Sequence, residues 1–376
     1  MAIPSSRSID YDAVMTLCLE HIRPGLFDSV FSSNAFLSAM YGRYGRKKAS
    51  GKGIKIVNGG ERIRVSLMYE KNSTAKSYSG YDVLDVTPQD GITAAFYQWK
   101  QLAVSIAISG LDMTKNKGPT KVRDLLNDKV EQAKMSLYQE INWELMGKTV
   151  AGGVWSAGKG MSDGSDLDPL WVFLPKDCSS SVEVGNINQS TYSWWRPRIV
   201  DGSSDTLVDN GVQPRSINCT SWARLWAAMR YTYNRCGIGA GGNPDFILTD
   251  QLTYEGYEAG LDSRSRINDS TKGPVSVGFD SVRFKGADMV WEEFVPDIDT
   301  GVNYDSASWA TGTMAFLNTD FMEICVAEGA DFVPGPFVKP ADQDAKVSQI
   351  LTTMALTCSN RRKQGLLYGI TVPLMA

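Results

Sequence analysis

The strongest hydrophobic pattern in the chain lies between residues 119 and 148. Apolar residues recur there every three or four positions, which places them on one face of an α-helix. The pattern predicts one amphipathic helix that begins with Pro119 in its first turn and ends at Gly147. At roughly 1.5 Å per residue it would be about 43 Å long, well above the globular mean. The apolar stripe consists of Val122, Leu126, Val130, Ala133, Leu137, Ile141 and Leu145.

Two stretches upstream of this helix alternate apolar and polar residues, which is the pattern of β-strands. They lie near residues 61–69 and 95–108, and they enclose a polar stretch at 70–90. We therefore expect a long β-hairpin with strands of about nine and about fifteen residues. A two-stranded hairpin is marginally stable by itself, and the chain before it offers little to support it. A neighbouring subunit is the expected support.

Residues 149–218 carry the weakest pattern in the chain. Several glycines open the segment, and no long periodic run follows. Its large aromatic residues indicate that it packs on something, because disordered chains lack aromatics. We interpret it as an elaborated loop or a small β insertion. These aromatic residues are Trp171, Phe173, Trp194 and Trp195.

The remainder of the chain mixes helix and strand signals. A helix capped by Thr220 or Ser221 is predicted to end at Cys236, and a second helix is predicted at 252–261. The tail carries two apolar runs, at 347–356 and 365–372, which are predicted to pair as strands. Further strands are predicted at 245–250, 279–284, 288–294, 314–318 and 321–327.

Composition narrows the class of protein. The 376 residues are 43% apolar, which is enough for a sizeable core, and a net charge of −4 gives no general attraction for nucleic acid. We find no secretion signal and no apolar run of about 18 residues, so we expect no membrane span. Six cysteines are scattered without a C-x-x-C pair, which favours buried free thiols.

Candidate catalytic and ligand-binding motifs are weak. The single histidine, His21, excludes a multi-histidine metal site. Residues 237–242 match G-x-G-x-x-G, but a predicted helix precedes them and a strand follows, the reverse of a dinucleotide-binding motif. Asp163, Asp166 and Asp168 do not fit the EF-hand pattern for calcium. We therefore expect no cofactor, no metal and no enzymatic activity.

A basic run follows the first helical segments. Such a run is usually a solvated loop, and the functional alternative is contact with DNA phosphates or with an acidic neighbour. The residues concerned are Arg43, Arg46, Lys47, Lys48 and Lys52, with glycines among them.

The order of the predicted elements, together with short local motifs, resembles the major capsid proteins of tailed bacteriophages, which have the Hong-Kong-97-like fold. The motifs are short and not catalytic, so their order matters more than any one of them. They are Gly59-Gly60-Glu61, Tyr78-Ser79-Gly80-Tyr81-Asp82, Trp99-Lys100-Gln101, Asn116-Lys117-Gly118, Phe316-Leu317-Asn318-Thr319-Asp320 and Cys358-Ser359-Asn360-Arg361-Arg362.

The resemblance implies an α+β fold and a division of the chain into segments. These are an N-terminal arm (1–57), an extended β-hairpin loop (58–110), a peripheral domain (111–235), an axial domain (236–330) and a tail that returns to the peripheral domain (331–376). Within the peripheral domain, 119–148 would be the spine helix and 149–218 an insertion.

The resemblance also implies a function. The chain would self-assemble, through hexamers and pentamers, into the icosahedral shell around the double-stranded DNA of a tailed phage. Expected partners are a separate scaffolding protein, a portal, a decoration protein and packaged DNA held by weak non-specific contacts. Expected locations are the host cytoplasm during assembly and then the virion capsid. The hairpin residues expected to contact a neighbouring subunit are Arg62, Arg64, Tyr69, Tyr78, Tyr81, Tyr97 and Trp99.

Two alternatives remain open at this point. An encapsulin-type nanocompartment would share the fold but house an enzyme. A β-rich hydrolase or binding protein would use acidic residues in the 160–170 segment and would be a monomer or a small oligomer.

Overall fold

Two β-sheets and three long helices organise the described part of the chain. The structure is a computed structural model, and it describes residues 36–37, 39–40, 53–111, 125–147, 166–176, 178, 183–203, 215–239, 241–262, 282–297, 311–340 and 342–371. The helices are α1 (Leu125–Met146), α2 (Leu170–Phe173), α3 (Trp222–Cys236) and α4 (Gln251–Asp262). The strands are β1 (Gly53–Val57), β2 (Arg62–Met68), β3 (Ile92–Gln98), β4 (Lys100–Ser109), β5 (Glu183–Val184), β6 (Ile187–Asn188), β7 (Arg198–Asp201), β8 (Arg215–Ser216), β9 (Phe246–Thr249), β10 (Val282–Phe284), β11 (Ala287–Trp291), β12 (Gly312–Leu317), β13 (Met322–Ala327), β14 (Val333–Pro334), β15 (Ala345–Cys358) and β16 (Gly365–Ile370).

The long strand β15 is the centre of a five-stranded sheet. One edge pairs antiparallel with the whole of β4, and the other edge pairs with β13 and β14. Strand β1 lies parallel to β13. Helix α1 packs on β4, where the buried side chains of Leu102 and Ile106 meet the apolar stripe of the helix. The stripe is buried at Ala133, Leu137, Ile141 and Leu145, as predicted.

The predicted second strand of the hairpin is two strands. Pairing with β2 ends at Gln98, and from Lys100 the chain pairs with β15 instead. Trp99 stands between the two strands. The prediction of one strand of about fifteen residues was wrong, because sequence alternation continues through Trp99 while the pairing partner changes.

A seven-stranded sheet forms the second half of the structure, in the order β10-β11-β9-β12-β16-β7-β8. All four residues of β9 are buried, which is typical of a strand covered on both faces. Helices α3 and α4 supply a buried cluster with this sheet, in which Met229 and Tyr257 meet Phe316. Both helices were predicted from the sequence. The predicted pairing of the two tail runs was wrong, because β15 and β16 lie in different sheets.

Two short crossovers within the described residues carry the chain between the sheets, from β12 to β13 and from β15 to β16. They are joined by a reciprocal amide pair: Asn318 N donates to Gln364 Oε1 (2.8 Å), and Gln364 Nε2 donates to Asn318 O (3.0 Å). In the second crossover, Lys363 Nζ donates to carbonyl oxygens of the 237–242 loop at 3.1–3.4 Å. A loop that turns its carbonyls toward an ammonium group is unlike a phosphate-binding loop, which offers N–H groups. The interpretation of 237–242 as a connecting loop is thereby strengthened.

The described parts of the predicted N-terminal arm belong to the body of the chain. Phe36 is fully buried and its backbone N–H donates to Glu292 Oε2 (3.2 Å). The other carboxylate oxygen of Glu292 accepts from Asn142 Nδ2 of α1 (2.9 Å). Together with β1, these contacts fix the end of the arm segment against both halves of the structure.

Candidate subunit interface

The hairpin formed by β2 and β3 has one buried face and one exposed face. The strands pair antiparallel, with Ile63 opposite Tyr97 and Arg64 opposite Phe96. Because opposite residues of a pair share a face, the register separates the two sets completely. The buried set is Ile63, Leu67, Ala95 and Tyr97, and the exposed set is Arg62, Arg64, Met68, Ile92 and Phe96.

The buried face of the hairpin is covered by its own chain. Residues 183–196, which we call the platform, lie against it: Phe96 N donates to Gly185 O (3.1 Å), and the Tyr69 ring stacks on Trp194 at 5.2 Å. Val184 and Trp195 share one buried cluster with the hairpin residues. The expectation that a neighbouring subunit supports these strands was therefore wrong for their buried face. The supporting segment comes later in the sequence, from the insertion whose aromatic residues predicted packing.

The hairpin continues beyond its strands into a loop, residues 70–90, which we call the hairpin tip. Local side-chain hydrogen bonds hold its conformation: Asp85 accepts from Thr87, and Lys76 Nζ donates to Val83 O (2.8 Å). The bonds from Thr87 lower the pKa of Asp85 below its ordinary value. Such turns are formed by short polar side chains that bond to nearby backbone. The tip is thus ordered by its own sequence.

Apolar side chains of the hairpin tip project into solvent. Val83 is 87% exposed and Val86 is 91% exposed. Several large apolar side chains exposed in one short segment of a monomer indicate an interaction surface, since their burial is favourable by about 25 cal/mol per Å². The members of this surface are Tyr78, Tyr81, Val83, Leu84 and Val86 on the tip, with Met68, Ile92 and Phe96 on the exposed face of the strands.

The predicted contact residues are divided by the structure. Arg62, Arg64, Tyr78 and Tyr81 are exposed, as a contact role requires. Tyr97 is instead buried in its own chain, where its hydroxyl donates to Cys358 O (2.7 Å) and burial raises its pKa above the ordinary value.

Tyr69 and Trp99 are half-buried and bonded within the chain. Tyr69 Oη donates to Asp90 O (2.6 Å), and Trp99 Nε1 donates to Gly60 O (2.9 Å). Alternation placed Tyr69 in the first predicted strand and Trp99 in the second, but it did not show which face of the hairpin is covered. Val83, Leu84 and Val86 were missed, although three apolar residues inside a polar stretch were the available signal.

The basic run at Arg43, Arg46, Lys47, Lys48 and Lys52 lies outside the described residues.

Other candidate chemistry gains no support from the described residues. They contain no cluster of three or more potential metal ligands and no helix long and apolar enough to cross a membrane. Five cysteines among the described residues are buried, and burial raises the pKa of Cys236 and of Cys358 to about 12. Burial raises the pKa of the Asp168 carboxyl group above its ordinary value. The positive charge of Lys100 opposes this shift. His21, Cys18 and Asp163 lie outside the described residues.

Comparison with solved structures identifies the fold. No family model and no curated protein sequence matches the chain. The capsid asymmetric unit of cyanophage A-1(L) matches with a TM-score of 0.65 and 15% identity, over 95% of this chain and 98% of that chain. The chain has a phage capsid fold. The predicted capsid architecture is thereby confirmed at the level of an α+β fold.

Two further solved structures match this chain over most of their length at lower TM-scores. The capsid of cyanophage P-SCSP1u matches at TM-score 0.47 and 12% identity, over 94% of each chain. The SrpI encapsulin of Synechococcus elongatus PCC 7942 matches at TM-score 0.47 and 7% identity, over 99% of this chain and 97% of that chain. Because these scores are lower, the assignment rests on cyanophage A-1(L).

Proposed function

We propose that this chain is the structural subunit of an icosahedral head shell that encloses the double-stranded DNA of a tailed phage. The observation that carries the proposal is a phage capsid fold over nearly the whole chain, combined with a hairpin tip that exposes a row of apolar side chains. In a shell, a neighbouring copy of the chain would bury these apolar side chains, and this burial would stabilise the contact between subunits. The role is structural rather than enzymatic.

We assign the segments of the chain to a Hong-Kong-97-like architecture as part of this proposal. Helix α1 is the spine helix, and it forms the peripheral domain with the five-stranded sheet. The seven-stranded sheet with α3 and α4 is the axial domain. It takes in β7, β8 and α3, which lie before the expected boundary at residue 236, and it leaves out β13, which lies in the five-stranded sheet. The extended loop then ends near Trp99 rather than at residue 110, since β4 belongs to the peripheral sheet. The tail contributes strands to both domains, because β14 and β15 lie in the five-stranded sheet and β16 lies in the seven-stranded sheet.

The proposed interface is the exposed face of the hairpin together with its tip, and the partner is a second copy of this chain. Arg62, Arg64, Tyr78 and Tyr81 keep the contact role expected from the sequence, and the apolar residues of the tip join them. Hexamers and pentamers are the proposed intermediates of the shell. A separate scaffolding protein, a portal, a decoration protein and weakly held DNA are further proposed partners, with assembly in the host cytoplasm.

Shortening the hairpin tests the function. Replacement of residues 72–88 by Asn-Gly places Lys71 opposite Gln89. Tyr69 N donates to Gly91 O, so Lys71 and Gln89 fall at the next hydrogen-bonded position of the ladder, which a two-residue turn requires, and the Tyr69–Asp90 hydrogen bond is retained. The variant should fold, as judged by circular dichroism and thermal unfolding, but should stay as unassembled subunits in light scattering. Closed shells of normal size from this variant would contradict the proposal.

A further inference from the structure

We propose that the platform, residues 183–196, fixes the direction in which the hairpin leaves the subunit and thereby sets the curvature of the shell. The inference rests on the proposed function and adds a role for the insertion. The platform is not itself a contact with a neighbour. It is a positioning element that holds the hairpin at two separated points.

The first point of support is at the middle of β3. The turn between β5 and β6 consists of Gly185 (φ 63°) and Asn186 (φ 60°), the left-handed pair of a type I′ turn. Gly185 O accepts the hydrogen bond from Phe96 N. A Cβ at Gly185 would lie 2.9 Å from the Cβ of Ala95, so only glycine allows this approach.

The second point of support lies where the strands meet the tip. The Tyr69 ring stacks on Trp194 with an interplanar angle of 21°. The hydroxyl of Tyr69 reaches across the hairpin to Asp90 O. One aromatic pair therefore links the platform to both ends of the hairpin tip. These two separated contacts fix the direction of β2 and β3 relative to the rest of the subunit.

The platform is itself anchored in the core. Trp195 is 1% exposed, and its indole N–H donates to Val184 O (2.9 Å), which ties the two halves of the platform together. Arg361 donates to Gln189 Oε1 (3.1 Å) from the crossover between the sheets. The hairpin reaches the same crossover region from its other side, through Tyr97 and Cys358. The contacts thus close a ring from hairpin to crossover to platform and back to hairpin.

This ring explains why the direction of the hairpin is set before any neighbour is met. The hydrogen bonds of the tip described above are made within the tip, so the tip follows the strands that carry it. A tilt of those strands would move the apolar row relative to the next subunit. Because the angle between neighbours repeats around a closed shell, a small tilt changes the diameter of the particle.

The test uses the full chain with Trp194→Ala, Trp194→Phe and Trp222→Ala. Trp222 is a partly buried tryptophan that packs on Tyr257 in the other cluster, so its loss lowers stability without touching the platform. Trp194→Ala should shift and broaden the distribution of particle diameters in electron microscopy. Trp194→Phe should restore the wild-type diameter, and Trp222→Ala should lower yield at unchanged diameter.

A second variant covers the case in which Trp194→Ala forms no particles. Amide hydrogen exchange in β2 and β3 of the unassembled subunit should then be faster in Trp194→Ala and in Gly185→Ala than in Trp222→Ala. A wild-type distribution of particle diameters in Trp194→Ala would overturn the inference. If Trp194→Ala forms no particles, exchange in Trp194→Ala and Gly185→Ala that is no faster than in Trp222→Ala would overturn it. Failure of the unaltered protein to form shells would instead refute the proposed function, so the two outcomes are distinguishable.

Discussion

The guanidinium of Arg361 lies over the ring of Trp195, 5.8 Å from its centroid, and is fully buried. From this position it donates to Phe173 O (3.1 Å) at the end of α2 and to Gln189 Oε1 of the platform. Burial lowers the pKa of Arg361 below its ordinary value. One cation in a crossover between the sheets therefore holds two separate parts of the insertion.

Loss of this cation should destabilise the subunit. Arg361→Met removes the hydrogen bonds to Phe173 O and to Gln189 Oε1, and a buried acceptor that loses its donor costs about 1–3 kcal/mol. We expect a loss of about 2–4 kcal/mol in the free energy of unfolding, measured by denaturant titration of unassembled subunits. Arg362→Met is the matched control, because Arg362 is the exposed neighbour in the same turn and should change stability by less than about 0.5 kcal/mol. Equal stabilities would mean that the desolvation cost of Arg361 cancels the contribution of its hydrogen bonds.

Polar substitution of the hairpin tip should separate assembly from stability. Val83→Ser combined with Val86→Ser changes only exposed side chains, so thermal unfolding of the subunit should stay nearly unchanged. Burial of one such side chain is worth about 1.5 kcal/mol or more, so the protein concentration needed for assembly should rise about tenfold or more. Light scattering against concentration gives this value. Ile238→Ser, an exposed apolar residue outside the hairpin, is the control, and an equal effect there would remove the special role of the tip.

The pH dependence of stability should contain a contribution from Glu323. Burial raises its pKa above the ordinary value, opposed by Lys55. A raised folded-state pKa gives stability that is present below the unfolded pKa and is lost as pH rises through the folded pKa. Glu323→Gln, which stays neutral, should therefore be more stable than the unaltered protein at pH 7 and equal to it near pH 3.

Denaturant titrations at the two pH values measure this difference. Glu328→Gln removes one exposed carboxylate near the same strand and controls for the change in net charge. A stability difference for Glu323→Gln of the same size at both pH values would show that the carboxylate makes a structural contact instead.

Charge reversal of residues 46–48 tests the basic run. If these cations meet DNA phosphates or an acidic neighbour, glutamate at all three positions should lower particle yield or the DNA content per particle. Reversal of exposed Lys134, Arg224 and Lys346 on other elements is the control. Unchanged particle yield and DNA content in the 46–48 variant would indicate that the basic run is a solvated loop with no contact role.

The sequence predicted elements whose signals are local. The stripe of α1, the helices α3 and α4 and the buried strand β9 were all found because periodicity records which residues share a face. Pairing partners were not predicted, because β4 and β15 are more than 200 residues apart and the sequence of neither strand specifies its partner. The same limit explains Tyr97: alternation placed it on one face of β3, but the cover for that face lies in the platform.

The capsid fold was predictable as a resemblance in the order of elements, whereas the burial of the hairpin residues was not. Contact residues were chosen as the arginines and aromatics of the hairpin, which are the types that dominate interfaces. Two of the aromatic residues, Tyr69 and Tyr97, turned out to hold the hairpin on its own subunit. Val83 and Val86 lie within a polar stretch of the sequence. Their solvent exposure depends on the local turns of the hairpin tip, which the sequence pattern does not predict.

Electron microscopy of the purified full-length protein tests the central claim most directly. A shell subunit should give closed particles of uniform diameter, in which the hairpin tip of each copy, with Val83 and Val86, is buried against an adjacent copy. Monomers or small open oligomers under all assembly conditions, or closed particles in which the tip stays in solvent, would contradict the account.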